Sequence, residues 1–223
     1  MKKLFLSSRG LVPEIRKNFL EFLVNDPSRV KVAFIATAAG PDGALKPYIK
    51  EAIDQIKYEG MEVVEVDLKA ENDSSLLHKL SGCDVIWMNG GNSFYLMYWI
   101  RKSGFDKIID QLLDNGKIYF GVSAGSYVAC PTIEAASWKH ADSDIVGLKD
   151  LTGLSLVPFL IGAHFDREKY HQCVIEGVKK TKLPVVALYD TQAINIKLLV
   201  LVQKNFLMDS RRINEYFSLF QQA

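Results

Sequence analysis

Long apolar runs are missing from this chain; none approaches the ~20 residues that a membrane-spanning helix requires, so a spanning segment is not expected. Cysteine is scarce as well. Cys83, Cys130 and Cys173 are too few and too scattered for a disulfide framework, and no Cys-x-x-Cys pair offers a metal site. That usage fits a reducing cytoplasm and excludes a disulfide-stapled scaffold. Nor is there an excess of one charge: 27 basic residues face 26 acidic ones, a formal +1. No global field therefore draws nucleic acid or an anionic membrane, and function must sit in a local site. Repeats and low-complexity segments are absent. The start, Met-Lys-Lys-Leu-Phe-Leu-Ser-Ser-Arg, places two lysines before an apolar run, but Arg9 and Gly10 break it before a signal-peptide core would be complete. It reads as a first strand.

What is present is enough apolar material, 48% of 223 residues, for one sizeable core, and the expectation is a single domain over 1–223. Strand-like and helix-like segments alternate. Lys3 to Ser7 is strand-like, and Pro13 opens a helix with Ile15, Phe19, Phe22 and Leu23 on one face. Val30 to Thr37 is a β-branched run, followed by a Gly/Pro loop and a helix from about Leu45 to Tyr58 that Gly60 stops. Met61 to Leu68 is the next strand. Asp73 and Ser74 are expected to cap a short helix through Leu80, and Asp84 to Met88 is a buried strand. The glycine-rich turn Asn89-Gly90-Gly91-Asn92-Ser93 leads into a helix from Phe94 to Arg101, and another runs from Phe105 to about Asn115. Further on, Leu154 to Ile161 and Pro184 to Tyr189 read as strands, with a charged helix, Glu168 to Lys180, between them. Such alternation predicts a doubly wound α/β fold with a mostly parallel sheet covered on both faces. Ligands in that class bind beyond the carboxyl ends of the strands.

The sharpest local signal is Ile118 to Ala129, an apolar β-like run that reaches Gly121-Val122-Ser123-Ala124-Gly125 and becomes helix-like. That is the layout of a nucleophile elbow, in which a serine at an abrupt strand-to-helix turn stands clear of both elements. The helix start aims free N–H groups at the same spot, Ala124 first, so an oxyanion forming there is stabilised. The plain alternative is a small-residue turn joining two elements. Two other polar residues also end predicted strands, His164 and Asp190, and all three are expected at one edge of the sheet. Their bland readings are a strand-end histidine held by backbone and a turn cap. His78 and His171 fall on polar helix faces and His140 in a charged loop.

Gly90-Gly91-Asn92-Ser93-Phe94-Tyr95-Leu96, Gly121-Val122-Ser123-Ala124-Gly125-Ser126, Cys130-Pro131-Thr132-Ile133 and His164-Phe165-Asp166, in that order, resemble the motifs of the peptidase E family of α-aspartyl dipeptidases. The likeness runs from the start to about Ile194. It implies a flavodoxin-like three-layer sandwich akin to class I glutamine amidotransferases, and a serine peptidase that releases N-terminal aspartate from short peptides with no metal and no cofactor. By position it implies Ser123 as nucleophile, His164 as general base, and Gly91 and Ala124 as oxyanion-hole donors. Arg167 and Asn92 are the candidate substrate-binding residues, Arg167 because its planar fork suits the aspartate carboxylate; its plain alternative is a solvated surface ion pair. The family's third triad member is placed either after the elbow helix, where this chain has Trp138 with Asp142 and Asp144 just beyond, or after the penultimate strand, where it has Asp190. Asp190 is favoured, since Trp138 cannot accept the imidazole proton. The expected partner is a short peptide substrate, with no nucleic acid and no membrane. One departure stands out: residues 195–223 lack the glycine turn usual in the family, and Ile213, Tyr216, Phe217 and Phe220 form an apolar helical face expected to pack either on the domain itself or on a partner subunit of a homodimer. Competing readings are a cyanophycinase-like hydrolase, against which Asn92-Ser93 stands where Asp-Gln is usual, a non-catalytic small-molecule binding protein, and an interaction module acting through the aromatic tail.

Overall fold

Runs of residues apolar at every position can be satisfied only in strands buried on both faces, and that requirement organises the fold. The computed structural model describes residues 2–40, 46–138 and 142–198. In chain order the elements are β1 (Lys2–Ser7), α1 (Pro13–Phe22), β2 (Lys31–Ile35), α2 (Pro47–Tyr58), β3 (Glu62–Val66), α3 (Asp73–Ser81), β4 (Val85–Met88), α4 (Ser93–Ser103), α5 (Phe105–Asp114), β5 (Ile118–Val122), α6 (Ala124–Val128), α7 (Glu134–Trp138), β6 (Leu160–Gly162), α8 (Glu168–Lys180), β7 (Val185–Ala187) and β8 (Ala193–Leu198).

Six strands form the central sheet in the order β3-β2-β4-β5-β1-β8. The first five are mutually parallel, and β8 closes the β1 edge antiparallel, pairing Leu6 with Ile194 and Leu4 with Ile196. Side chains alternate between two apolar layers. Leu4, Leu6, Ile35, Ile86, Met88 and Tyr119 face the layer containing α3 to α6, while Phe5, Phe34, Trp87 and Phe120 face α1 and α2. The second layer is built on aromatic contacts: the Trp87 and Phe120 rings stack with centroids 3.8 Å apart, and Phe19 of α1 meets Phe120 edge-on at 4.7 Å. Helices thus cover both faces of a mostly parallel sheet, a three-layer α/β fold.

Several boundaries differ from the sequence expectation. Asn72, not Asp73 or Ser74, caps α3, in a reciprocal capping box with Ser75. The expected strand Leu154 to Ile161 shortens to β6, because the Leu154 and Leu156 N–H groups are donated to Val128 and Ala129 carbonyls at the end of α6. A larger difference concerns sheet membership. β6 and β7 do not join the central sheet but pair in parallel as a two-stranded sheet of their own, with α8 as the crossover. Strand β8 occupies 193–198, and its residues 195–198 open the atypical C-terminal segment. The aromatic tail face and His140 lie outside the described residues.

Candidate active site

The elbow forms as its residues demand. Ser123 lies between β5 and α6 at φ 47, ψ −103, a conformation that L-residues adopt only under constraint. Backbone bonds supply that constraint: Ser123 N–H is donated to Ser7 O at 3.0 Å, while the Ser126 and Tyr127 N–H groups both reach Ser123 O at 2.9 Å and start the helix. Ser126 Oγ lies 2.9 Å from both Ser7 O and Gly121 O and shares its one proton between the two carbonyls. A side chain at Gly125 would collide with the Met88 carbonyl, so only glycine lets α6 lie this close to β4.

His164 follows β6 and Asp190 follows β7, so they come from the small sheet and only Ser123 from the large one. The expectation of one common sheet edge is corrected in that respect: two sheets meet. The joint between them is made of backbone and buried hydroxyls. Ala163 N–H is donated to the hydroxyl of Tyr127, a fully buried residue of α6 whose ionisation burial pushes far up. Phe165 N–H reaches Leu188 O and Leu188 N–H reaches Gly162 O, tying the ends of β6 and β7. His164 itself is at φ 61, a left-handed conformation uncommon outside glycine.

This arrangement sets Ser123 Oγ 3.0 Å from His164 Nε2, and on the other side of the ring His164 Nδ1 donates to Asp190 Oδ1. A carboxylate on Nδ1 selects the tautomer with its proton there, leaving Nε2 to accept the serine proton. Arg167 Nε and an Nη nitrogen each lie 2.8 Å from Asp190 Oδ2. Burial pushes the Asp190 carboxyl up, but the N–H of His164 and the guanidinium of Arg167 more than offset it and hold the group below its ordinary range. The side chains of His164 and Asp190 are each 13% exposed, and that of Arg167 is 38% exposed.

Gly90 lies against the serine: a side chain there would press on the Val122 carbonyl and the Ser123 side chain. Gly91 has φ 149, and a side chain there would collide with the Ala38 carbonyl, which also takes the Asn92 N–H at 2.7 Å. Among the described residues, neither the Gly91 nor the Ala124 N–H is hydrogen-bonded. Asn92 does not stand ready for a substrate: its Oδ1 accepts Tyr95 N–H as the cap of α4, and its Nδ2 donates to Ser143 O. Of the alternative acids, Asp142 accepts Ser93 N–H at the start of α4 and Asp144 accepts Val146 N–H in a turn, so Asp190 is the carboxylate brought to the imidazole. Trp138 packs over Gly177 of α8, where a side chain on the glycine would overlap the indole. His78 and His171 are exposed, as their helix faces implied. No cluster among the described residues could hold a metal ion, and no described helix is long and apolar enough to cross a membrane.

Two residues of this site escaped the sequence reading. Tyr127 carried no signal beyond its place after the elbow. Ser8 follows β1, is fully buried, accepts His164 N–H at 2.8 Å and donates to Asp190 Oδ1 at 3.1 Å. Only its position at the end of a strand neighbouring the elbow strand could have pointed to it.

Comparison with known proteins identifies the family. An uncharacterized peptidase of Pasteurella multocida (strain Pm70) is 29% identical over 196 residues, which is 87% of this chain and 93% of that one. A peptidase E of Nostoc sp. (strain PCC 7120) is 32% identical over 149 residues, 67% of this chain and 56% of its own length. The crystal structure of a candidate peptidase E protein from Listeria monocytogenes EGD-e superposes with a TM-score of 0.75 at 26% identity, covering 89% of this chain and all of that one (100%). The model of peptidase family S51 matches residues 4–198. The chain therefore belongs to peptidase family S51, the peptidase E family of serine peptidases.

Proposed function

We propose that this peptidase hydrolyses short peptides, dipeptides foremost, at an N-terminal aspartate, with Ser123 as nucleophile, His164 as general base and Asp190 as the carboxylate that orients it. The observation that carries the reading is the 3.0 Å approach of Ser123 Oγ to His164 Nε2 on a strained strand-to-helix turn. A serine hydroxyl attacks poorly at neutral pH unless a base takes its proton as the bond forms. His164 accepts that proton, Asp190 stabilises the imidazolium, and the proton then passes to the departing amine. Water repeats the sequence on the acyl-serine. The Gly91 and Ala124 N–H groups receive the oxyanion, each contributing on the order of 3 kcal/mol in the transition state.

Aspartate selectivity is assigned to Arg167. The guanidinium has more donors than the two Asp190 uses and is partly exposed beside the histidine. A substrate carboxylate entering next to Asp190 would share the same cation. Labelling with a serine-directed phosphonate, together with a hydrolysis screen of dipeptides varied at the first residue, tests the proposal. The expected result is a single adduct on Ser123, lost in Ser123→Ala, and fastest cleavage of Asp-Leu type peptides. In Arg167→Met, kcat/KM for those peptides should fall by ~2–4 kcal/mol more than for peptides with an uncharged first residue. Equal losses on both classes would place the selectivity elsewhere, and labelling that persists in Ser123→Ala would remove Ser123 as nucleophile.

A further inference from the structure

We infer that Ser8 is a positioning residue of this active site, a fourth side chain whose single hydroxyl fixes the backbone of the base and the carboxylate of the acid together; the inference rests on the reading of Ser123, His164 and Asp190 as the catalytic set. A hydroxyl has one proton and two lone pairs. At Ser8 one lone pair takes the His164 N–H at 2.8 Å. The proton has two neighbours, Asp190 Oδ1 at 3.1 Å and His164 Nδ1 at 3.4 Å, and it goes to the carboxylate because Nδ1 already carries the proton that it donates to the same oxygen.

Three consequences follow from chemistry. Asp190 Oδ1 then receives two donors, from Ser8 and His164, and Oδ2 receives Arg167, so the carboxylate has no rotation left that keeps its bonds. The His164 N–H, in the unfavourable φ 61 conformation, is held by a buried acceptor, which offsets part of the strain. The preceding residue, Ser7, accepts the Ser123 N–H on its carbonyl. The Ser7–Ser8 dipeptide thus touches all three members of the set, which arrive from segments far apart in the chain. Ser8 is fully buried and its own N–H is donated to Gln192 O, just beyond Asp190, so the clamp is itself anchored. A side chain serving only to fill space would need no oxygen here.

The test compares Ser8→Ala and Ser8→Thr with the unaltered protein in three measurements: thermal unfolding, the rate constant for phosphonate labelling at Ser123, and kcat and KM on the dipeptide that the unaltered protein cleaves best. Folded Ser8→Ala should lose about 10- to 100-fold in labelling rate and in kcat, the scale set by loosening a supported catalytic geometry, with KM nearly unchanged. Ser8→Thr keeps the hydroxyl and should retain more of both rates than Ser8→Ala. If Ser8→Ala fails to fold, Ser8→Cys, of similar volume but a weak donor, takes its place with the same expected loss. A folded Ala or Cys variant that labels at the unaltered rate, a loss confined to KM, or a Thr variant no better than Ala would overturn the role of Ser8. An unaltered protein that takes no label at Ser123 would instead sink the catalytic reading itself, and Ser8's role with it.

Discussion

Asp190 is the residue on which most of the site's electrostatics converge, since it receives the imidazole, the guanidinium of Arg167 and the hydroxyl of Ser8. Its carboxyl is more acidic in the folded protein than the ordinary 3.8. A carboxyl depressed by folding contributes stability that is complete above its unfolded value and is lost as pH falls through its folded value. The window therefore lies on the acid side. Arg167→Met removes one of the partners that lower it, so stability should drop near neutral pH and the deficit should shrink as pH falls through the folded value; equal stability of the two proteins at neutral pH would show that the pair contributes nothing. For catalysis, Asp190→Asn should depress kcat by several orders of magnitude, because the amide favours the wrong imidazole tautomer. Asp142→Asn leaves an acceptor for Ser93 N–H and should be far milder. The reverse order in measured rates would move the acid to the loop after the elbow helix.

At the scale of elements, the site is a joint between a large sheet and a small one, and its precision depends on how closely α6 approaches β4 and β5. Gly125 is the contact that allows that approach, with Met88 O occupying the space a Cβ would need. Gly125→Ala should force α6 away from β4 and tilt Ser123 off its line to His164. Activity should fall at least a hundredfold, as for ångström-scale misplacement, together with a lower unfolding temperature. Retention of full activity with a raised unfolding temperature would refute the close-approach argument. On the far side, Trp138 fixes α7 to α8 through Gly177, so the position where the family resemblance allowed an acid carries packing instead. A sequence position can match a motif while its side chain serves the helix beneath it.

The whole molecule is held by two apolar layers, and the one opposite the elbow helix is the more aromatic. Trp87, fully buried, stacks on Phe120 and meets Phe19 and Phe34. Trp87→Ala should cost about 3–5 kcal/mol, measured by denaturant unfolding, while the fraction that stays folded keeps its catalytic constants, since Trp87 points away from the Ser123 face. A loss below 1 kcal/mol would mean that the layer refills around the gap. By itself the sequence determined the alternation of strands and helices, the elbow, and the three polar strand ends, because hydrophobic period, glycine placement and a strand-to-helix change are local patterns. The likeness to a serine peptidase family was legible for the same reason, as short motifs at fixed turns. Tertiary structure alone decided that β6 and β7 form a separate sheet, that Asn92 caps a helix, that Arg167 pairs with Asp190, and that Ser8 meets His164 and Asp190. Those contacts join residues up to 182 positions apart, and a hydroxyl or guanidinium finds its partner only once the sheets have brought distant strand ends together.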